Sequence, residues 1–178
     1  MSERIVYLMR GLPSCGKSHT ARSLVGPDGV VLETDQYFYT CVGDDPAHYD
    51  YQSDLLDDAR SWNLKRFRQA LSQGVSPIVV DRGNGLNQES CEYILIAQEH
   101  SYAVELREPD SPWWIELRVL LKYKQYVAPE LFDAWAEKLA ESSKQTHRVP
   151  AETIRRWMQA WRSDLTVNDI LATQSSRQ

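Results

Sequence analysis

Apolar residues along this chain follow two alternating rhythms. Short runs of three to five, Ile5-Val6-Tyr7-Leu8-Met9, Val30-Val31-Leu32, Pro77-Ile78-Val79-Val80-Asp81 and Tyr102-Ala103-Val104-Glu105-Leu106, read as strands. The third is uniformly apolar, as a parallel strand covered on both faces should be. Between the runs, apolar positions recur three and four residues apart. Ala21, Leu24 and Val25 mark one helix. Leu55, Leu56, Ala59, Trp62, Phe67, Ala70 and Leu71 mark a second, and Cys91, Ile94, Leu95 and Ala97 a third. Turn residues punctuate them at Gly26-Pro27-Asp28-Gly29, in a loop through Gly43 and Pro46, at Gly74 and at Gly83-Asn84-Gly85. From Pro112 onward only the helical rhythm remains, over about 112–126, 129–142 and 150–162, broken at Pro129 and before Pro150. After Asn168 the chain turns polar, and 169–178 is expected to be a frayed tail. Strands alternating with helices predict a three-layer α/β/α domain over 1–168, with a short parallel sheet of about four strands and a helical C-terminal region.

Composition narrows the class. At 178 residues the chain is one domain, able to bury a core without disulfides. Its three cysteines, Cys15, Cys41 and Cys91, show no paired spacing, which argues for a reducing compartment and against structural zinc. No apolar stretch approaches a membrane span, and charged residues lead straight into the first strand, so a cytoplasmic location is expected. The net charge of −5 is unlike that of a protein gripping long nucleic acid non-specifically. It is unevenly placed. Asp44, Asp45, Asp50, Asp54, Asp57 and Asp58 form an acidic stretch, read as a solvated helix face near a positive dipole end. Lys144, His147, Arg148, Arg155, Arg156 and Arg162 make the later region basic.

One motif carries chemistry outright. Gly11-Leu12-Pro13-Ser14-Cys15-Gly16-Lys17-Ser18 fits G-x-x-x-x-G-K-[ST], between a predicted strand and a predicted helix. Consecutive amides in such a loop form an anion nest, and the helix N-terminus adds partial positive charge. Gly11, Pro13, Ser14, Cys15, Gly16, Lys17, Ser18 and His19 are therefore the candidate nucleotide contacts. Lys17 would reach the terminal phosphates and Ser18 would ligate Mg²⁺, so ATP and Mg²⁺ are the expected cofactors. Cys15, beside a helix N-terminus and Lys17, is a candidate reactive thiol.

No guanine-reading N-K-x-D element is present, and the chain is short for a full AAA module with its own helical lid domain. A small kinase needs an acidic group at the acceptor hydroxyl, an acid near the metal and a basic lid. Asp35, after the second strand, fits the first need, with a plain loop or cap aspartate as its alternative. Asp81, ending the third strand, fits the second. Lys144-Gln145-Thr146-His147-Arg148, in a break between helices, is either that lid or an ordinary helix terminus with favourable cations. Trp113, Trp114, Trp135, Trp157 and Trp161 read as core and packing residues rather than base-stacking platforms.

Several ordered blocks make the chain resemble the P-loop polynucleotide 5′-hydroxyl kinase family and, more broadly, zeta-toxin-like and AAA-type small P-loop kinases. Arg10-Gly11-Leu12-Pro13 with Gly16-Lys17-Ser18 is similar to R-G-x-P-G-S-G-K-S, and Thr34-Asp35-Gln36-Tyr37-Phe38 to T-D-D-Y-F. Ala59-Arg60-Ser61-Trp62-Asn63 resembles A-H-x-x-N, and Ile78 to Asn84 resembles I-I-V-D-N-T-N. Glu108-Pro109-Asp110 with Trp113-Trp114 resembles a further block. Lys144 to Pro150, followed by Ile154 and Met158, is similar to R-N-x-H-x-V-P-x-x-x-I-x-x-M, the family's lid.

The resemblance implies phosphoryl transfer from ATP to a hydroxyl, first of all the 5′ end of RNA or DNA. In it Asp35 is the general base, Lys17, Lys144 and Arg148 are catalytic, and Ser18 and Asp81 hold the metal. Asp35, Tyr37, Arg60, Arg82 and Asn84 would meet the acceptor. The chain departs from the pattern at Ser14, Cys15, Arg60, Gly83 and Lys144, and by an extra helical stretch at about 123–141 before a lid at 142–150. Two rival readings stand beside this one. The first is a kinase of a small metabolite, nucleoside, antibiotic or nucleotide sugar. The second is a non-kinase nucleotide-binding module using the extra helix near Trp135 as its interaction surface.

Overall fold

The computed structural model describes residues 4–40, 49–83, 89–144 and 146–175. Four parallel strands form the sheet: β1 (Ile5–Met9), β2 (Val30–Glu33), β3 (Ile78–Asp81) and β4 (Ala103–Arg107), in the order β2-β3-β1-β4. Val6 stands opposite Ile78 on one side and Val104 on the other, and Val30 opposite Ile78. From β1 the chain crosses to the far edge at β2 and returns through β3; it then crosses β1 to β4. The order thus reverses beside β1, and the carboxyl ends of β1 and β3 open on the crevice where ligands bind in such sheets.

The uniform strands are apolar because both faces are covered. Val6, Leu8, Leu32, Ile78 and Val80 pack against Phe67 and Leu71 of α3 (Leu56–Ser72), Ile94 and Ala97 of α4 (Glu89–Glu99), and Ile170. The alternate residues Tyr7, Met9, Val31 and Val79 pack against Ala21, Leu24 and Val25 of α1 (Lys17–Val25). The three layers expected of the sequence are present. A short α2 (Gln36–Thr40) follows β2. Among the described residues, no helix is long and apolar enough to cross a membrane.

The last part of the chain departs from expectation in two places. The helix anticipated over 112–126 stops as α5 (Pro112–Lys122) and continues as a 3₁₀ turn, Lys124–Tyr126. There Lys124 Nζ turns back to donate to the carbonyl of Trp161, 2.7 Å away, and to that of Gln159. The described part of the tail expected to fray is helical: α8 runs Val167–Ser175 with Ile170 buried. Its start is a reciprocal cap, Thr166 N–H to Asp169 Oδ2 at 2.8 Å and Asp169 N–H to Thr166 Oγ1 at 3.2 Å, and Leu165, Val167 and Leu171 fasten it to the core.

The extra stretch is core as well. α6 (Pro129–Ser143) places Phe132, Trp135, Ala136 and Leu139 against Trp114, Leu117 and Leu121 of α5, and Ile154, Met158 and Trp161 from α7 (Ala151–Ala160) and the residue after it. Trp135 itself is buried, as a packing residue should be. Leu12 and Cys15 of the phosphate-loop motif belong to this same cluster.

Candidate functional site

The turn from β1 into α1 is shaped by residues that no others would replace easily. A Cβ on Gly11, at φ +156°, would lie 2.7 Å from Cys15 Sγ. Gly16, the residue preceding α1, is left-handed at φ 92°. Ser14 is also left-handed, at φ 60°, a conformation costing a non-glycine residue about 1–2 kcal/mol. Neighbours hold it there: Trp113 Nε1 donates to the Ser14 carbonyl at 3.0 Å, and Ser111 Oγ to the Cys15 carbonyl at 2.8 Å. Ser111 also accepts from Trp114 N–H as the cap of α5, and Thr20 Oγ1 donates to Asp110 Oδ1 at 2.8 Å. The 108–113 segment thus braces the loop from behind.

Lys17 opens α1, and its ammonium donates to the carbonyls of Gly11 at 3.1 Å and Leu12 at 3.2 Å. Ser18 Oγ donates to Asp81 Oδ2 at 2.8 Å, joining the first turn of α1 to the end of β3. Gly11 and Pro13 are buried, Ser14, Gly16, Lys17 and Ser18 half-buried, and His19 exposed. Cys15 is not an activated thiol. Burial pushes it up to about 11, outweighing Lys17, and its Sγ donates to the Leu12 carbonyl.

Asp35 lies two residues beyond β2, at the same end of the sheet as Asp81, its carboxylate half-exposed. Glu33 lies between the two acids in electrostatic terms: burial raises its pKa first, then the charge of Asp81, with Asp35 adding to the same effect and Arg22 opposing it. Tyr49 hydrogen-bonds Asp35, and its hydroxyl is pushed upward by burial and by that carboxylate. His147 Nδ1 stands 3.4 Å from Asp35 Oδ2, and its ring meets Tyr49 edge-on at 6.0 Å. The turn after α6 therefore does reach Asp35, through His147.

Other expected residues are distributed around this group. Arg82 is held below the usual guanidinium range by burial, with Tyr93 raising it, Arg60 lowering it and Asp35 raising it, so both arginines lie within electrostatic reach of the site. Arg60 also pairs with exposed Asp57 at 3.0 Å. Tyr37 packs edge-on against Trp62 at 5.7 Å. Asp50, Asp54, Asp57 and Asp58 are exposed, the last two in the first turn of α3, as the helix-face reading expects. Asn84, Asp44 and Asp45 lie outside the described residues. Lys144, at the end of α6, is exposed and ion-paired with Glu141. Arg148 is exposed and left-handed at φ 50°. Buried Ser143 holds that turn: its carbonyl accepts from Arg148 N–H at 2.8 Å and its hydroxyl from Val149 N–H at 3.1 Å.

Sequence reasoning missed the roles of Glu33, Tyr49, Ser111 and Trp113. Only Ser111-Pro112 left a readable trace, as a helix-start pair. Trp113, expected in the core, is 42% exposed and works through its indole N–H on the loop.

A loop of this shape after β1, a serine–aspartate pair across to β3 and a 2-3-1-4 parallel sheet define a P-loop NTPase, a nucleotide-binding fold. Residues 6–117 match the family described as an AAA domain, and the chain belongs to it. Among curated relatives it is similar to human NEDD4-binding protein 2, 39% identical over 112 residues, which are 62% of this chain and 6% of that protein. It is also similar to YLP motif-containing protein 1 of human and rat, 31% identical over 127 residues and 60% of this chain. The match spans 6% of the human protein and 9% of the rat one, so the chain corresponds to less than a tenth of each relative.

Proposed function

We propose that this chain is an ATP- and Mg²⁺-dependent kinase that phosphorylates a hydroxyl, first of all the 5′ end of RNA or DNA. The observation that carries this is Asp35, a half-exposed carboxylate beyond β2 that shares its end of the sheet with the P-loop and is touched by His147 from the lid turn. A carboxylate presented there can take the proton of an attacking hydroxyl.

Each residue has a role in in-line transfer. Lys17, now resting on loop carbonyls, exchanges them for γ-phosphate oxygens. Ser18 and Asp81 offer two hard oxygen donors, which suit a small divalent cation that takes its other ligands from phosphates and water. Such an ion would neutralise charge between the β- and γ-phosphates. Asp35 accepts the proton of the acceptor hydroxyl as its oxygen bonds to the γ-phosphorus and the bond to the β,γ-bridging oxygen breaks. Arg148, with Lys144 released from Glu141, closes on the phosphates. Arg60, Arg82, Asn84 and Tyr37 would position the acceptor.

The metabolite-kinase reading keeps one favouring observation, the exposed acids Asp50, Asp54, Asp57 and Asp58 near the acceptor side, which oppose a polyanion. Labelled ATP with 5′-hydroxyl oligonucleotides and, separately, pooled metabolites is the test. A labelled oligonucleotide, with KM rising as salt rises, is the expected result. Label only in a neutral small molecule would transfer the assignment to the metabolite reading.

A further inference from the structure

The sheet edge at β4 carries a groove of about 1100 Å³ that the proposed transfer does not use. It is bounded by the end of β4, the later part of α5 and the 161–165 segment. Six of its lining residues are arginine or lysine and two are acidic, in a chain whose net charge is −5. Two of the six are committed. Lys124 holds the end of α7, and Arg10 is buried over the Trp161 ring at 4.3 Å, bonded to Glu108 and the Arg162 carbonyl.

The other four, Arg107, Arg118, Lys122 and Arg162, are exposed, Arg107 being ion-paired with Glu105 at 2.8 Å. The carboxylate partners of the two Arg118 and Arg162 side chains lie 3.7–3.8 Å away, exposed pairs of the kind that contribute little and exchange readily.

With six cations against two acids along its wall, the groove suits an occupant that carries negative charge. The lining residues Lys122 and Lys124 are interleaved in the chain with aromatic rings, Lys122-Tyr123-Lys124-Gln125-Tyr126, and the Lys122 ammonium lies 5.4 Å from the Tyr123 ring. Tyr123 and Tyr126 are 49% and 82% exposed. Cations interleaved with exposed rings suit a phosphodiester backbone whose bases are unpaired and free to stack.

We propose that this groove binds single-stranded nucleic acid, with Arg118, Lys122 and Arg162 on its phosphates and Tyr123 and Tyr126 against its bases. The site is separate from Asp35, which follows the opposite edge strand, three strand spacings or ~14 Å across the sheet. It does not depend on the kinase reading.

The test is fluorescence anisotropy with a short pyrimidine oligonucleotide already phosphorylated at its 5′ end, so that it cannot serve as an acceptor. Arg118→Glu/Lys122→Glu should weaken binding at least about tenfold and flatten the log–log salt dependence by about 1.4. Arg162→Glu, made separately, should weaken it in the same direction. Tyr126→Ala should cost about fivefold or more for the single strand and nothing for heparin, which has no bases to stack. Melting temperature and nucleotide binding to the P-loop serve as the folding controls for each variant. Unchanged affinity in the charge variants would overturn the proposal. So would equal affinity for a polyglutamate peptide, preference for a duplex, or displacement of the strand by saturating ATP, which would give the groove to the nucleotide. Failure of the kinase screen leaves this measurement untouched.

Discussion

The P-loop and the turn after α6 each force a non-glycine residue into the left-handed region, Ser14 at φ 60° and Arg148 at φ 50°, and they are held there very differently. Around Ser14 the supports come from outside the loop: Trp113, Ser111 and, one step removed, the Thr20–Asp110 bond, with Leu12 and Cys15 sunk in the α5–α7 core. Arg148 sits in a turn whose described backbone bonds run to Ser143, while exposed His147 meets Asp35 and Tyr49 and exposed Lys144 pairs with Glu141. Equal local strain thus appears in a braced cradle and in an exposed flap. The cradle is held by side chains from another part of the chain, whereas the exposed turn draws its support from buried Ser143 and from Val149 at the edge of the core.

The sharpest test of that division is at the place the flap touches. Asp35→Ala should lower phosphoryl transfer by about 10²–10⁴-fold while leaving ATP affinity unchanged, measured by single-turnover kinetics beside nucleotide titration. A parallel fall in affinity would mean that cradle and flap are one unit. Next in size is Gly11→Ala. Its new Cβ meets Cys15 Sγ at 2.7 Å, so the cradle must shift; ATP affinity should fall at least about tenfold, with about 1–3 kcal/mol lost from unfolding stability.

Removing only the brace is milder. Trp113→Phe deletes the bond to the Ser14 carbonyl and should cost about 1 kcal/mol in denaturant melts and a few-fold in ATP affinity. Arg148→Gly relieves the backbone strain and should raise stability by up to about 1 kcal/mol while slowing transfer. A loss of stability there would show that the flap is better fixed than its anchor at Ser143 implies.

Much of this could be read from the sequence because it is written in contiguous residues. The P-loop, its flanking strand and helix, and Asp81 at the end of an apolar run all lie within short windows whose chemistry is local. Asp35 was legible for the same reason. The group around it was not, because Tyr49 and His147 come from segments far apart in the chain, and nothing in either segment signals the meeting. Cys15 misled for a related reason. Position beside Lys17 suggested activation, but burial dominates. Its thiol, raised to about 11, is protonated at neutral pH, so maleimide labelling at pH 8 should be slow and should quicken only as the pH climbs toward that value. Fast labelling at pH 8 would mean the cradle opens. α8 was misjudged, and Trp113 with it, because apolar residues spaced for a helix do not announce which neighbour will bury them.

The sheet ends at β4 with Glu105 and Arg107 two residues apart on one face, about half-exposed and ion-paired at 2.8 Å. An outermost strand is a ready template for another chain, and a charged pair there must be stripped of water before a second strand can dock. Such a pair disfavours edge-to-edge docking of a second strand. Replacing both with valine should make the protein precipitate at concentrations where its parent stays dispersed.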